Sequence, residues 1–88
     1  MTHRIDRTND VEAMQLTDNH AELAAWADGT VVGDVVQLPQ TAIPVTRGQW
    51  AVRDIGPDGV GPARPVLDAV MQFGYVRVDG IRYRRRTD

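Results

Sequence analysis

The chain contains no cysteine, no serine and no lysine. Without cysteine there is neither a disulfide framework nor a thiolate metal site. Without serine and lysine as well, Ser and Cys nucleophiles, P-loop lysines and Schiff-base chemistry are excluded together. Aromatic residues are scarce, with two Trp, two Tyr and one Phe. No apolar run approaches the ~18 residues that span a bilayer. The first residues, Met1-Thr2-His3-Arg4-Ile5-Asp6-Arg7, lack the apolar segment of a secretory signal, and the expected location is cytoplasmic. His3 and His20 do not form a ligand spacing, so no metal site is expected. Nor is a cofactor.

What is present is an ordinary globular composition, 42% apolar and 25% charged over 88 residues. That length makes one domain with a modest core, burying roughly 60–65% of its unfolded surface. The net charge of −2 conceals an asymmetry. Residues 1–63 carry four Arg against nine acids, and residues 64–88 carry six Arg against three, so −5 and +3 sum to −2. A dipolar chain of this kind pairs its own halves or presents a basic end to an anion.

The stretch Arg47-Gly48-Gln49-Trp50-Ala51-Val52-Arg53-Asp54 reads as a turn and a strand. Trp50 and Val52 share one face, Gln49, Ala51 and Arg53 the other. Trp50 is the expected anchor of the core, and full burial would make Trp50→Ala cost about 3–5 kcal/mol. Val11 to Thr17 reads as a strand apolar on both sides, hence buried. A helix is expected from Asp18 or Asn19 to Asp28, with Asn19 and Glu22 as a capping box and Gly29 as the C′ residue. Its buried stripe is Leu23, Trp26 and Ala27. Thr30 to Leu38 reads as a single strand, with a bulge or close backbone approach at Gly33. Pro57-Asp58-Gly59 signals a turn. Pro65 opens a second helix at its N1 position, with Val66, Leu67, Val70 and Met71 buried, Phe73 also in the core, and Gly74 at the end.

Asp79-Gly80 is a strong hairpin signal. A two-residue turn there pairs Val78 with Ile81, Arg77 with Arg82, Val76 with Tyr83 and Tyr75 with Arg84. Val76, Val78, Ile81 and Tyr83 then face the core. Tyr75, Arg77, Arg82 and Arg84 form the outer face, with Arg85 and Arg86 just beyond. Arginines directly opposite each other repel, so solvent and the acids of residues 1–63, or an anionic partner, must offset them. This surface is the candidate interaction site, and Arg53 is a secondary candidate. Catalytic residues are not expected. The acids are scattered over turns and helix ends, where Asp is structurally favoured. A Glu12–Asp54 or Asp34–Asp54 carboxylate pair would require those strands to be neighbours, and solvated surface charge is the expectation.

Three segments, VEAMQLT (11–17), NHAELAAWADG (19–29) and VTRGQWAVRD (45–54), resemble small accessory proteins of actinobacterial tailed phages and prophages. Those read VEAxQxT, then a short helix ending near a Trp and Gly, then VxxGDWxVR. The resemblance spans residues 11–75 in order. Gln49 stands where the pattern has Asp, and Met71 where it has an aromatic residue. The arginines from Val78 onward extend beyond it. The resemblance implies a non-enzymatic accessory protein that binds a host or phage protein in the infected cell, a possible host-takeover factor. It supplies no catalytic residue. Nucleic-acid binding through the arginine hairpin is the alternative from composition, and a small virion structural or decoration protein is a third.

The expected architecture is α+β. A small antiparallel sheet of four to six short strands carries two short helices and ends in a β-hairpin. Residues 1–9 are expected to be a flexible tail, 10–84 a single domain, and 85–88 a basic, mobile tail.

Overall fold

The computed structural model describes residues 10–56 and 59–86. The expected tail over residues 1–9, Pro57-Asp58 of the expected turn, and the final Thr87-Asp88 lie outside the described residues. The elements run β1 (Asp10–Gln15), α1 (His20–Ala27), β2 (Thr30–Val32), β3 (Val35–Gln37), β4 (Trp50–Gly56), β5 (Gly59–Val60), β6 (Arg64–Val66), α2 (Asp68–Gly74), β7 (Tyr75–Asp79) and β8 (Arg82–Arg85). The fold is α+β, with a six-stranded antiparallel sheet in the order β5-β4-β1-β8-β7, β6 also pairing with β4, and a separate β2–β3 hairpin.

β1 is central because both of its faces are apolar. Val11 and Ala13 join Val52, Met71 and Tyr75 in one core cluster, where Trp50, Val66 and Tyr83 pack at the margin. On the opposite face Met14 packs against Leu16, Leu23, Ala24, Ala27, Val36, Leu38, Val45, Ala51 and Ala63. Thus α2 covers one side of the sheet, and α1 with the β2–β3 hairpin covers the other. Each fully buried Leu or Val, such as Leu16, Leu23 or Val36, contributes about 1.5–3 kcal/mol of transfer free energy. The β4 alternation is as read: Trp50 and Val52 belong to the α2 side, Ala51 to the α1 side.

Several local expectations are corrected. Gly33 is not a bulge; at φ 59° it opens a two-residue turn with Val32 opposite Val35, splitting the expected strand into a hairpin. A positive φ at the first turn residue matches the twist of the flanking strands, and glycine supplies it without steric cost. Pro65 sits in β6 opposite Ala51, where an edge strand tolerates a residue without an N–H. The second helix therefore begins at Asp68, with Leu67 as its N-cap. The capping box on α1 does not form. Asn19 Oδ1 instead accepts from the Thr17 backbone N–H at 2.8 Å, and its amide donates to the Gln15 carbonyl at 3.2 Å. Its left-handed C-cap is Asp28 (φ 63°) rather than Gly29. Trp50 is half-buried and holds one margin of its core cluster rather than the centre.

Candidate protein-binding surface

The C-terminal hairpin departs from its expected register by one residue. Gly80, at φ 50°, takes the first turn position, so the turn is Gly80-Ile81 and Asp79 lies opposite Arg82. A bulge between Arg77 and Asp79 reduces the two-residue offset at the turn to one, giving Arg77 opposite Tyr83, Val76 opposite Arg84 and Tyr75 opposite Arg85. A one-residue slip exchanges the faces of one strand relative to its partner. The expected outer face of Tyr75, Arg77, Arg82 and Arg84 is therefore not a single surface. Tyr75 is buried with Tyr83 beside it on the α2 side, whereas Val76 and Val78 are exposed rather than in the core. Ile81 is exposed as well.

The arginines divide accordingly. Arg84 and Arg82 extend over the other face, where β8 pairs with β1, placing Arg84 opposite Asp10 and Arg82 opposite Glu12. Asp10 is 6% exposed. It accepts from Arg84 Nε at 2.8 Å and lies 3.4 Å from Arg82 Nε. The hydrogen bond from Arg84 holds the Asp10 carboxyl below its ordinary range; burial opposes the effect, and the charges of Arg84 and Arg82 add to it. These two arginines are structural. Arg53 is structural too: Nε and Nη2 both reach Glu12 Oε1 (2.9 and 2.7 Å), Nη1 donates to the Trp26 carbonyl, and the guanidinium stacks 4.1 Å from the Trp26 ring centre. Arg47 bridges Asp18 and Asp34, and Arg64 lies 3.3 Å from Asp54.

Of the described arginines, Arg77, Arg85 and Arg86 remain. Among the described residues no carboxylate lies within ion-pair distance of them. Arg77 Nε donates to the Gly80 carbonyl at 3.0 Å, closing its own turn. Arg85 ends β8 opposite Tyr75, and the Arg86 backbone N–H donates to the Gly74 carbonyl. Arg85 and Arg86 thus belong to the hairpin rather than to the expected tail.

Among the described residues a groove lies on each side of the sheet. The larger, about 360 Å³, is lined by Trp26, Pro39, Gln40, Arg53, Pro62 and Ala63 among others. Its one cation, Arg53, is already paired with Glu12, and its other charged lining residue is the acid Asp28. The second, about 280 Å³, lies between α2 and the C-terminal hairpin and is lined by Trp50, Met71, Gln72, Tyr75, Val76, Arg77, Tyr83 and Arg86. Trp50 and Tyr83 meet edge to face there, with ring centres 5.6 Å apart. Trp50 is fixed by its indole N–H, which donates to Asp68 Oδ1 at 2.8 Å.

Beside this groove α2 turns an apolar side outward. Only Met71 of α2 is buried. Phe73 is 81% exposed, with Val70 one turn earlier and Leu67 at the helix entry also exposed. From the sequence all three are expected in the core. For Val70 and Phe73 the separating signal is the spacing, since Phe73 lies three residues from Val70 but only two from Met71. Val70 and Phe73 therefore share a side that Met71 does not.

The conceivable carboxylate pairs do not form. Glu12 lies opposite Arg53, and Asp54 lies opposite Val11 on the other face of the sheet, while Asp34 is held by Arg47 and His20. Among the described residues no group of three or more His, Cys, Asp or Glu could hold a metal ion. No helix among them is long and apolar enough to cross a membrane. No protein-family model, curated protein or solved structure matches the chain.

Proposed function

We propose that the chain is a non-enzymatic accessory protein of a phage or prophage. It docks on a host or phage protein in the cytoplasm of the infected or lysogenic cell. The observation that carries the docking reading is the uncovered side of α2, where a phenylalanine with 81% exposure sits one turn from Val70. Exposing Phe73 has no benefit for the isolated fold, and exposed apolar clusters beside polar residues mark interaction sites. The phage assignment rests on the resemblance of residues 11–75.

A different protein fits this surface better than a second copy does. Arg77 and Arg86 line the adjoining groove, and a second copy would bring like charges together. Nucleic acid fits less well, since Arg82 and Arg84 are committed to Asp10, leaving a small cationic footprint on a chain of net charge −2.

The test is capture from host lysate, with and without nuclease, by the parent and by Phe73→Asp. A retained protein that survives nuclease and is lost on Phe73→Asp, at an unchanged melting temperature, is the expected result. Capture that nuclease abolishes would replace this reading with nucleic-acid binding. A defined oligomer that retains no partner would replace it with a virion component.

A further inference from the structure

The groove between α2 and the C-terminal hairpin joins an aromatic floor to a cationic rim, which the outer side of α2 does not. Trp50, Tyr75 and Tyr83 form the floor with Met71, and Arg77 and Arg86 stand on the walls. The floor is preorganised. Trp50 is held by Asp68 and packed edge-on against Tyr83, and Tyr75 is buried at the start of β7. Little ordering is left for a ligand to impose. At about 280 Å³ the groove falls just below the roughly 300–1,000 Å³ of small-molecule sites. It suits one large side chain better than a cofactor.

The rim decides the charge of the occupant. Among the described residues Arg77 and Arg86 have no carboxylate partner, although the chain is acidic overall and satisfies Arg47, Arg53, Arg64, Arg82 and Arg84 internally. Asp68, the nearest acid to the floor, is occupied by Trp50, with Gln15 and Gln72 each at 3.4 Å. Guanidinium groups fork onto carboxylates with a geometry that ammonium groups lack. We infer that this groove seats an acidic peptide segment of the docking partner. One apolar side chain of that segment lies on Trp50, Tyr75 and Tyr83, and its flanking carboxylates meet Arg77 and Arg86. The inference rests on the docking reading above and gives the partner its chemistry.

The edge of the sheet supports a heterologous occupant. β7 is the outermost strand on this side, and it carries Arg77 and a bulge, two devices that discourage pairing between identical edges. A second copy aligned antiparallel about the middle of β7 would set Arg77 against its own counterpart.

The test is selection of a displayed library of random short peptides on the folded full chain. The expected enriched peptides carry one large apolar residue between Asp or Glu residues. They quench the fluorescence of Trp50, read in a Trp26→Phe background, and they bind more weakly as salt is added. Arg77→Gln with Arg86→Gln weakens them about tenfold or more, whereas Arg47→Gln, remote from the groove, does not. Thermal melting of the double variant separates lost binding from lost folding. Enrichment without acidic bias, equal binding to the double variant, or no enrichment at all would each overturn the inference. If lysate capture through Phe73 persists in any of those cases, the docking reading stands without it. Acidic peptides that bind while no lysate protein is captured would keep the groove's chemistry and remove the reading beneath it.

Discussion

Arg84 reaches across the sheet to Asp10, donating from Nε to Oδ1 at 2.8 Å and from Nη2 to Oδ2 at 3.4 Å, over a separation of 74 residues. The Asp10 side chain is 9% exposed and that of Arg84 57%. The acid is therefore the member that cannot return to water. Arg82 approaches the same carboxylate from the preceding strand position but one. The acidic and basic halves of the chain meet here, and the meeting welds β8 to β1 at the point where the C-terminal hairpin joins the sheet.

The pair has a signed pH dependence. In the folded chain the Arg84 hydrogen bond holds the Asp10 carboxyl below 3.8, its ordinary value. The unfolded chain then takes up this proton first. The stabilisation is fully present above the unfolded value and is lost as pH falls through the depressed folded one. In a variant with both Arg82→Ala and Arg84→Ala, burial alone acts on Asp10 and pushes its carboxyl upward. Protonation then favours the folded state, and this contribution increases as pH falls through the raised value. Urea midpoints measured from neutral to acid pH, compared between parent and variant, should show the variant closing its stability deficit in acid. A deficit that stays constant with pH would mean that Asp10 is not held by these arginines.

Much of the scaffold was legible because it is carried by local pattern. Two-sided apolarity of residues 11–16, alternation over residues 50–53 and the i, i+4 pair Leu23 and Ala27 all depend on spacings a reader can count. The candidate surface was legible only in part, because it depends on register. Asp79-Gly80-Ile81 fits a turn with either Asp79 or Gly80 in the first position, and local sequence does not choose. The choice is made by distant packing: Tyr83 opposite Val11 lies on the α2 side together with Tyr75 only in the shifted register. Pro65 posed a similar ambiguity, being compatible with a helix start and with an edge strand. Pairing with Trp50, Ala51 and Val52 decided for the strand. That choice shortened α2 to seven residues and left Phe73 outside the core.

Adjacent substitutions after α1 should have opposite signs. Asp28 occupies the left-handed region (φ 63°), which disfavours a side chain, so Asp28→Gly should raise stability by roughly 0.5–1 kcal/mol. Gly29 has no such backbone requirement but lies tight against β3. A Cβ there would stand 2.7 Å from the Gln37 carbonyl oxygen and 3.1 Å from Val36 Cγ1. Gly29→Ala should cost about 1–3 kcal/mol by overpacking. Chemical denaturation of the two variants gives the answer directly. If Gly29→Ala is neutral, β3 gives way to the added Cβ and the close approach does not require glycine; if Asp28→Gly is damaging, the Asp28 side chain contributes more than its left-handed backbone costs.

Trp50 should behave as a half-buried residue with a polar tether rather than as a central anchor. Its ring packs against Tyr83 at 5.6 Å, and its N–H reaches Asp68 at the first turn of α2. That helix is short, and only Met71 holds it by burial, so the tether contributes to keeping it on the sheet. Trp50→Ala should cost about 2–3 kcal/mol, less than the roughly 3–5 kcal/mol of a fully buried tryptophan. Trp50→Phe retains much of the apolar contact and loses the hydrogen bond. Combined with Asp68→Ala in a double-mutant cycle, it should reveal a coupling of about 1–2 kcal/mol, since the acceptor is ionised. The same cycle read by peptide binding separates two roles of this contact. A coupling in stability together with weaker binding would show that Asp68 orders the groove floor as well as the helix. Strict additivity in stability would mean that α2 is held by Met71 without the tether.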